Sequence, residues 1–95
     1  MPVTTEVVKN ESAGRYELHI DGRTVGIAEF EVRGDTVVFP HTVIDPAERG
    51  GGLGARLVSG ALDDVRSSGR VVVPECWYVA QFIDEHEEYA DLLAG

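Results

Sequence analysis

Six residues just past the middle of the chain, Arg49–Gly54, read RGGGLG and have the composition of an anion-binding loop. Four of them are glycine, and a helical pattern of apolar residues begins directly after them. The first N–H groups of a helix have no partner within it, and with the helix dipole they attract negative charge. Glycine leaves these groups accessible, and Arg49 adds a fixed positive charge. The stretch is consistent with either a diphosphate cradle or a plain flexible turn.

Two further side chains have the chemistry of a nucleophile and a base. Cys76 precedes a helical stretch, where a thiolate is favoured, although a small buried apolar residue is the alternative interpretation. His41 follows Pro40 and can either accept a proton or hold an irregular backbone. The single cysteine excludes an internal disulfide and a cysteine-based zinc site. The three histidines lack zinc-ligand spacing, so we expect no metal.

The hydrophobic period indicates the elements that position these residues. Residues 15–20 and 23–32 alternate and are separated by Asp-Gly, which is typical of a hairpin turn. The second strand changes phase near Gly26–Ala28, which predicts a bulge or burial on both faces. Residues 36–44 are predicted to form a third strand. Because proline has no N–H to donate, this strand should be bulged or kinked at Pro40.

The second half of the chain is predicted to contain a crossover between parallel strands. After the glycine stretch the period changes to about 3.6, which indicates a helix that ends near Gly69. Its apolar face would consist of Leu53, Leu57, Val58, Ala61, Leu62 and Val65. Residues 70–75 are typical of a buried strand, and residues 77–95 of one helix or two short ones. The glycine stretch then lies where open α/β sheets bind ligands.

These elements predict an α+β fold, an α/β sandwich with a mixed, mostly antiparallel sheet, one β-α-β crossover and a C-terminal helix. The 95 residues fit one domain. Residues 1–13 form either a flexible end or an edge strand, and residues 14–95 form the domain. A net charge of −9 argues against nucleic-acid binding. Without a long apolar run or a signal peptide, we expect a cytoplasmic monomer or weak homodimer with no membrane partner.

Several short motifs follow one another around the glycine stretch. They are His41–Thr42, the pattern Arg49-x-x-Gly52-x-Gly54, the segment VPECWYV (73–79) and the segment HEEY (86–89). In this order the motifs resemble the short, single-domain members of the GNAT acetyltransferase superfamily, with a minimal GNAT-like fold. The resemblance covers residues 14–93.

The resemblance implies that the chain binds acetyl-coenzyme A and transfers acetyl to an amine, on a small molecule or a lysine-bearing acceptor. The pantetheine arm would run beside the strand before the loop, and the pyrophosphate would lie on the loop. The implied cofactor-binding residues are Thr42, Val43, Ile44, Arg49, Gly50, Gly51, Gly52, Leu53, Gly54 and Cys76. Cys76 and His41 are the candidate catalytic residues on their own chemistry, with Cys76 carrying the acetyl group in a covalent version of the reaction.

The chain departs from the family pattern at two places. Val43 replaces a glutamate that is frequent in short relatives and matches the candidate base of larger ones, and Ile83 occupies the usual tyrosine position. These departures favour a second hypothesis, a non-catalytic acyl-CoA or CoA sensor or interaction module. A third is a structural domain without cofactor affinity. Trp77 and Tyr78 either cover the cofactor or pack into the core, and packing is the simpler expectation.

Overall fold

The computed structural model describes residues 4–46 and 52–94. Five strands form one sheet in the order β1-β2-β3-β4-β5. They are β1 (Thr5–Asn10), β2 (Arg15–Ile20), β3 (Arg23–Arg33), β4 (Thr36–Ile44) and β5 (Val71–Val73). The first four strands pair antiparallel, and β5 pairs parallel to β4. The predicted α+β fold with its mixed, mostly antiparallel sheet is confirmed.

The N-terminal stretch forms a strand and not a frayed end. β1 pairs with β2 along its whole length, with Thr5 opposite Ile20 and Asn10 opposite Arg15. The side chain of Val7 packs against the core. The sheet therefore has four antiparallel strands, one more than the three that alternation assigned with certainty.

A bulge in β3 accounts for the phase change predicted near Gly26–Ala28. Leu18 of β2 lies opposite Gly26, whereas the next residue of β2 lies opposite Thr24, so Val25 is an extra residue. Val25 and Gly26 are consequently both buried. The bulge explains why apolar residues at this point of the strand do not alternate.

The second bulge lies in β4 at Pro40, where the sequence predicted a bulge or kink. Glu29 of β3 pairs with His41, and Glu31 pairs with Val38, so β4 has one extra residue in the segment that contains Pro40. Proline cannot donate a ladder hydrogen bond, which favours an unpaired position there. The pairing of β4 with β5 ends at Val38, directly before the bulged segment.

The helical segments follow the predicted order. They are α1 (Leu53–Ser67), α2 (Trp77–Glu85) and a C-terminal 3₁₀ helix (Glu87–Leu92). The terminal stretch is thus two short segments that are separated at His86. β5 is shorter than the predicted strand over residues 70–75 because Pro74 follows Val73 and has no N–H to continue the ladder.

One hydrophobic core joins the sheet to all three helical segments. Its largest fully buried side chains are Phe39, Leu18, Leu57, Leu62, Val58, Val65, Val72 and Val79. The buried face of α1 matches the predicted apolar stripe from Leu57 to Val65. The Tyr16 hydroxyl donates a 2.6 Å hydrogen bond to Asp64 and fastens β2 to the end of α1. In the described ranges, no helix is both long and apolar enough to cross a bilayer.

Candidate active site

A cleft opens where β4 and β5 diverge. The two strands pair over three residues each, from Thr36 to Val38 on the β4 side. The last link between them is the Cys76 N–H, which donates to the Phe39 carbonyl at 2.8 Å. β4 then continues to Ile44 and stays paired with β3. The cleft has a volume of about 690 Å³, a size typical of ligand sites.

The cleft has a covered part and an exposed rim. The inner cleft consists of the buried and half-buried lining residues Thr42, Ile44, Leu53, Gly54, Ala55, Cys76 and Tyr78. The outer mouth consists of the exposed lining residues Pro40, His41, Gly52, Glu75 and Trp77. Most of the residues singled out in the sequence analysis therefore meet in one place.

The N-terminus of α1 opens into this cleft without a cap. Gly52 is the N-cap residue, with φ 77° in the left-handed region, and no side chain bonds to the first turn. The first intrahelical bond runs from the Arg56 N–H to the Gly52 carbonyl at 3.2 Å. The N–H groups of Leu53, Gly54 and Ala55 thus have no helical partner. No acidic residue lies in this turn, so its dipole favours an anion.

Three residues of the predicted loop, Arg49, Gly50 and Gly51, lie outside the described residues. Their assignment to a pyrophosphate site stays a prediction from the sequence.

Tyr78 of α2 lies across the first turn of α1. A β-carbon at Gly54 would overlap the Tyr78 hydroxyl and approach its ring carbon Cζ to 2.8 Å. Gly54 therefore lacks a side chain because Tyr78 occupies the space. Sequence reasoning missed this contact, although a motif glycine inside a helix is itself a signal of close approach.

Cys76 occupies the N-cap position of α2 and is 9% exposed. Burial raises the pKa of its thiol, but interactions with the Thr42 hydroxyl and with the N–H groups of Val79 and Tyr78 outweigh it. The net pKa of Cys76 is lowered. None of these contacts reaches the full geometry of a cap hydrogen bond. Their joint direction still follows from α2, whose first N–H groups point at the sulfur.

The Thr42 hydroxyl is the second polar group of the inner cleft. Its Oγ1 is buried and has no well-formed hydrogen bond. Its interaction with the Cys76 sulfur is an electrostatic contact without good hydrogen-bond geometry. Buried hydroxyls normally have a partner, so Oγ1 is a place for a ligand atom that can hydrogen bond.

His41 and Val43 lie on the other face of β4. Successive residues of a strand point to opposite faces, and Thr42 points toward Cys76. His41 is exposed in the outer mouth, and its side chain makes no hydrogen bond to a described residue. Val43 is 40% exposed and lines no part of the cleft with its side chain. The structure thus brings Cys76 and Thr42 together and keeps His41 on the solvent side.

The expectation that Trp77 packs into the core is wrong. Its side chain is 72% exposed in the outer mouth, whereas Tyr78 is half-buried. Trp77 is the first residue of α2, and the core side of that helix is taken by Val79, Phe82 and Ile83.

A family model matches most of the chain. The model, described as GCN5-related N-acetyl-transferase, matches residues 15–92. The chain belongs to the GCN5-related N-acetyltransferase family. This family, abbreviated GNAT, is the one that the motif series resembled. No curated protein sequence matches the chain significantly.

Solved structures share the GNAT fold. A Staphylococcus aureus protein described as GCN5-like aligns with a TM-score of 0.72 and 16% identity, over 95% of this chain and 88% of its own. The ribosomal-protein-S18-alanine N-acetyltransferase of Escherichia coli aligns with a TM-score of 0.62 and 21% identity, over 70% of this chain and 43% of its own. The N-acetylglutamate synthase of Neisseria gonorrhoeae was solved with coenzyme A and N-acetyl-glutamate. It aligns with a TM-score of 0.58 and 20% identity, over 74% of this chain and 19% of its own. The chain thus spans less than half the length of the last two enzymes.

Proposed function

We propose that this GNAT protein binds acetyl-coenzyme A in the cleft and transfers the acetyl group to an amine. The observation that carries the proposal is that the uncapped start of α1, the end of β4 beyond β5, and Cys76 all border one cleft. Membership of the N-acetyltransferase family supports the choice of acyl donor.

The residues of the cleft fit the parts of this donor. The backbone of β4 at Thr42 and Val43, beyond the last residue that pairs with β5, offers N–H and C=O groups to the amides of the pantetheine arm. The N–H groups at Gly52–Gly54 suit a diphosphate, and Gly52 leaves open space where a side chain would stand. Arg49, Gly50 and Gly51 would complete this cradle. Together these groups orient the thioester end toward Thr42 and Cys76.

Acetyl-coenzyme A supplies a thioester, whose carbonyl carbon accepts a nucleophile. In direct transfer, His41 accepts the proton that the amine loses as its nitrogen bonds to that carbon. The carbon–sulfur bond breaks, the sulfur leaves with the electron pair, and the proton ends on it. Thr42 Oγ1 donates a hydrogen bond in the inner cleft and stabilises the charge that develops there.

The lowered pKa of Cys76 also permits covalent transfer. Its sulfur bonds to the acyl carbon, the donor's carbon–sulfur bond breaks, and the released thiolate takes up the thiol proton. The amine nitrogen then bonds to the same carbon, and Cys76 leaves as a thiolate that regains a proton from the amine. The two routes differ in whether Cys76 is acetylated at any stage.

The position of His41 favours a second candidate, a coenzyme A-binding module without turnover. His41 shares no hydrogen bond with Cys76, and Val43 has no group that accepts a proton. Such a protein would bind the ligand through the same cleft and report it to a partner.

The release of free thiol from acetyl-coenzyme A, measured with and without amines, tests the proposal. Transfer predicts acceptor-dependent release well above the uncatalysed rate. Binding without release supports the module instead. Intact mass after incubation, with Cys76→Ala and Cys76→Ser as comparisons, separates the routes, because covalent transfer requires one added acetyl group that both variants lose.

A further inference from the structure

Trp77 is the most exposed large apolar side chain among the described residues. Its ring contact within the chain is an edge-on one with Tyr78, at a centroid distance of 5.8 Å. Burying an indole is strongly favourable, so leaving it in water forgoes stability that the core could have used. On the rim of the cleft, the exposed indole of Trp77 is available for contact with a ligand that enters the cleft.

Among the described residues, two carboxylates lie at or near the outer mouth. Glu75 precedes Trp77 by two residues, is exposed and forms no ion pair with a described residue. Glu29 lies opposite His41 on the neighbouring strand and is also exposed and unpaired within the described chain. Arg33 interacts electrostatically with Glu75 but forms its ion pair with Glu31, at 3.0 Å.

We propose that the outer mouth binds a primary alkylammonium group, which contacts the indole face of Trp77 and pairs with the carboxylate of Glu75. Tryptophan is the aromatic side chain that attracts cations most strongly. The start of α2 disfavours a cation, but that effect is comparable with one cation–π contact and is confined to the first turn. The attraction of the Glu75 carboxylate therefore makes the net electrostatic interaction with a bound cation favourable.

The proposal deepens the proposed function, on which its consequence for acetyl transfer rests. The ammonium group is the protonated form of the acceptor amine, and it loses a proton before transfer. A free diamine and a lysine side chain share this chemistry. A carboxylate-bearing amine does not suit a mouth whose described carboxylate, Glu75, is unpaired, in a chain of net charge −9.

Because Trp77 is the single tryptophan, its fluorescence reports on this site alone. The protein is titrated with 1,5-diaminopentane and with Nα-acetyl-lysine amide at physiological salt, beside neutral 1-pentanol and anionic glutarate. We expect a saturable change in emission with both ammonium compounds and none with the other two. The tighter of the two ammonium ligands identifies the source. Absence of a saturable response, or an equal response to pentanol, overturns the proposal.

Variants separate a specific site from general attraction to an acidic protein. Glu75→Gln should weaken ammonium binding by about threefold to tenfold, an effect of the size of one ion pair or cation–π contact. Glu6→Gln makes the same charge change on β1, three strands away from β4, and should leave binding unchanged. Equal weakening by the two variants would mean that net charge alone attracts the ligand, and the proposal would fail.

The two proposals fail in different experiments. Fluorescence binding of the ammonium compounds needs neither acetyl-coenzyme A nor turnover. Saturable binding in a protein without transfer activity would support the cation site and contradict the proposed acetyl transfer. Transfer to neutral or acidic amines, without any preference for ammonium compounds, would support acetyl transfer and contradict the cation site.

Discussion

The Thr42 hydroxyl and the Cys76 thiol meet at the closed end of the cleft and connect β4 to the start of α2. Neither group belongs to the glycine stretch that first indicated a ligand site. Their meeting depends on the bulge at Pro40, after which β4 turns away from β5, and on the Cys76 N–H, which bonds to Phe39. The pair adds a thiol with a lowered pKa to a cleft that also contains the uncapped start of α1.

Thr42→Val should raise the pKa of Cys76, because it removes a hydroxyl that stabilises the thiolate. Iodoacetamide alkylation followed over pH measures that pKa directly. The wild-type midpoint should lie below that of a cysteine in an unfolded peptide, and the variant midpoint should lie above the wild type's. Thr24→Val, the same change at an exposed position of β3, is the control. Equal midpoints in all three folded proteins would contradict the assigned contact.

Glu17 should stabilise the fold at neutral pH and lose that effect in acid. Hydrogen bonds from His19 (2.9 Å), Arg15 (2.8 Å) and Asn10 (3.1 Å) lower its pKa to about 2. A carboxyl whose folded pKa is depressed contributes above its unfolded pKa, about 4.3, and loses the contribution as pH falls toward 2. We expect about 1–2 kcal/mol, because solvent screens the part-exposed partners.

Urea unfolding of Glu17→Gln at pH 7 and pH 2.5 measures this contribution. The variant should be less stable than wild type at pH 7, and the difference should shrink at pH 2.5. Glu31→Gln removes an exposed ion pair to Arg33 and should have little effect at either pH. A Glu17→Gln deficit that is independent of pH would show that packing, and not charge, explains the burial.

Gly60→Ala should reveal how closely β1 approaches α1. A β-carbon at position 60 would lie 2.8 Å from Val7 Cγ2 and 3.0 Å from Val7 Cβ, so the strand must move. Overpacking of this kind costs about 1–3 kcal/mol, which exceeds the gain of about 1 kcal/mol from replacing a helical glycine.

A double-mutant cycle with Val7→Ala tests the contact through the free energy of unfolding. Gly60→Ala should destabilise the wild type and stabilise the Val7→Ala protein, in which the clash is relieved. The same sign of effect in both backgrounds would place β1 farther from α1 than the structure does.

Much of the fold could be predicted because it depends on local signals. Proline chemistry located the bulge at Pro40, the change of period located α1, and the Asp-Gly pair located the β2–β3 turn. β1 was left as one of two alternatives because its six residues are mostly polar, and pairing with β2 is what fixes them.

The arrangement of the cleft depends on contacts that no local pattern encodes. The packing of Tyr78 over Gly54 requires the crossing of α2 and α1, which only tertiary structure defines. Trp77 and Tyr78 are adjacent in sequence, yet the first is exposed and the second half-buried. This difference depends on which side of α2 faces the core. Strand alternation predicts that the side chains of His41 and Thr42 lie on opposite faces of β4. Which of the two faces Cys76 depends on the bulge at Pro40.

Calorimetric titration with acetyl-coenzyme A tests the central claim, that the start of α1 and its preceding loop hold the donor's diphosphate. The wild type should bind, and Arg49→Ala should bind about tenfold more weakly or worse, as expected for a lost charge-assisted hydrogen bond. Arg66→Ala removes the same charge roughly 20 Å along α1 and should bind like the wild type. No binding by the wild type at millimolar ligand, or equal losses in the two variants, would contradict the claim.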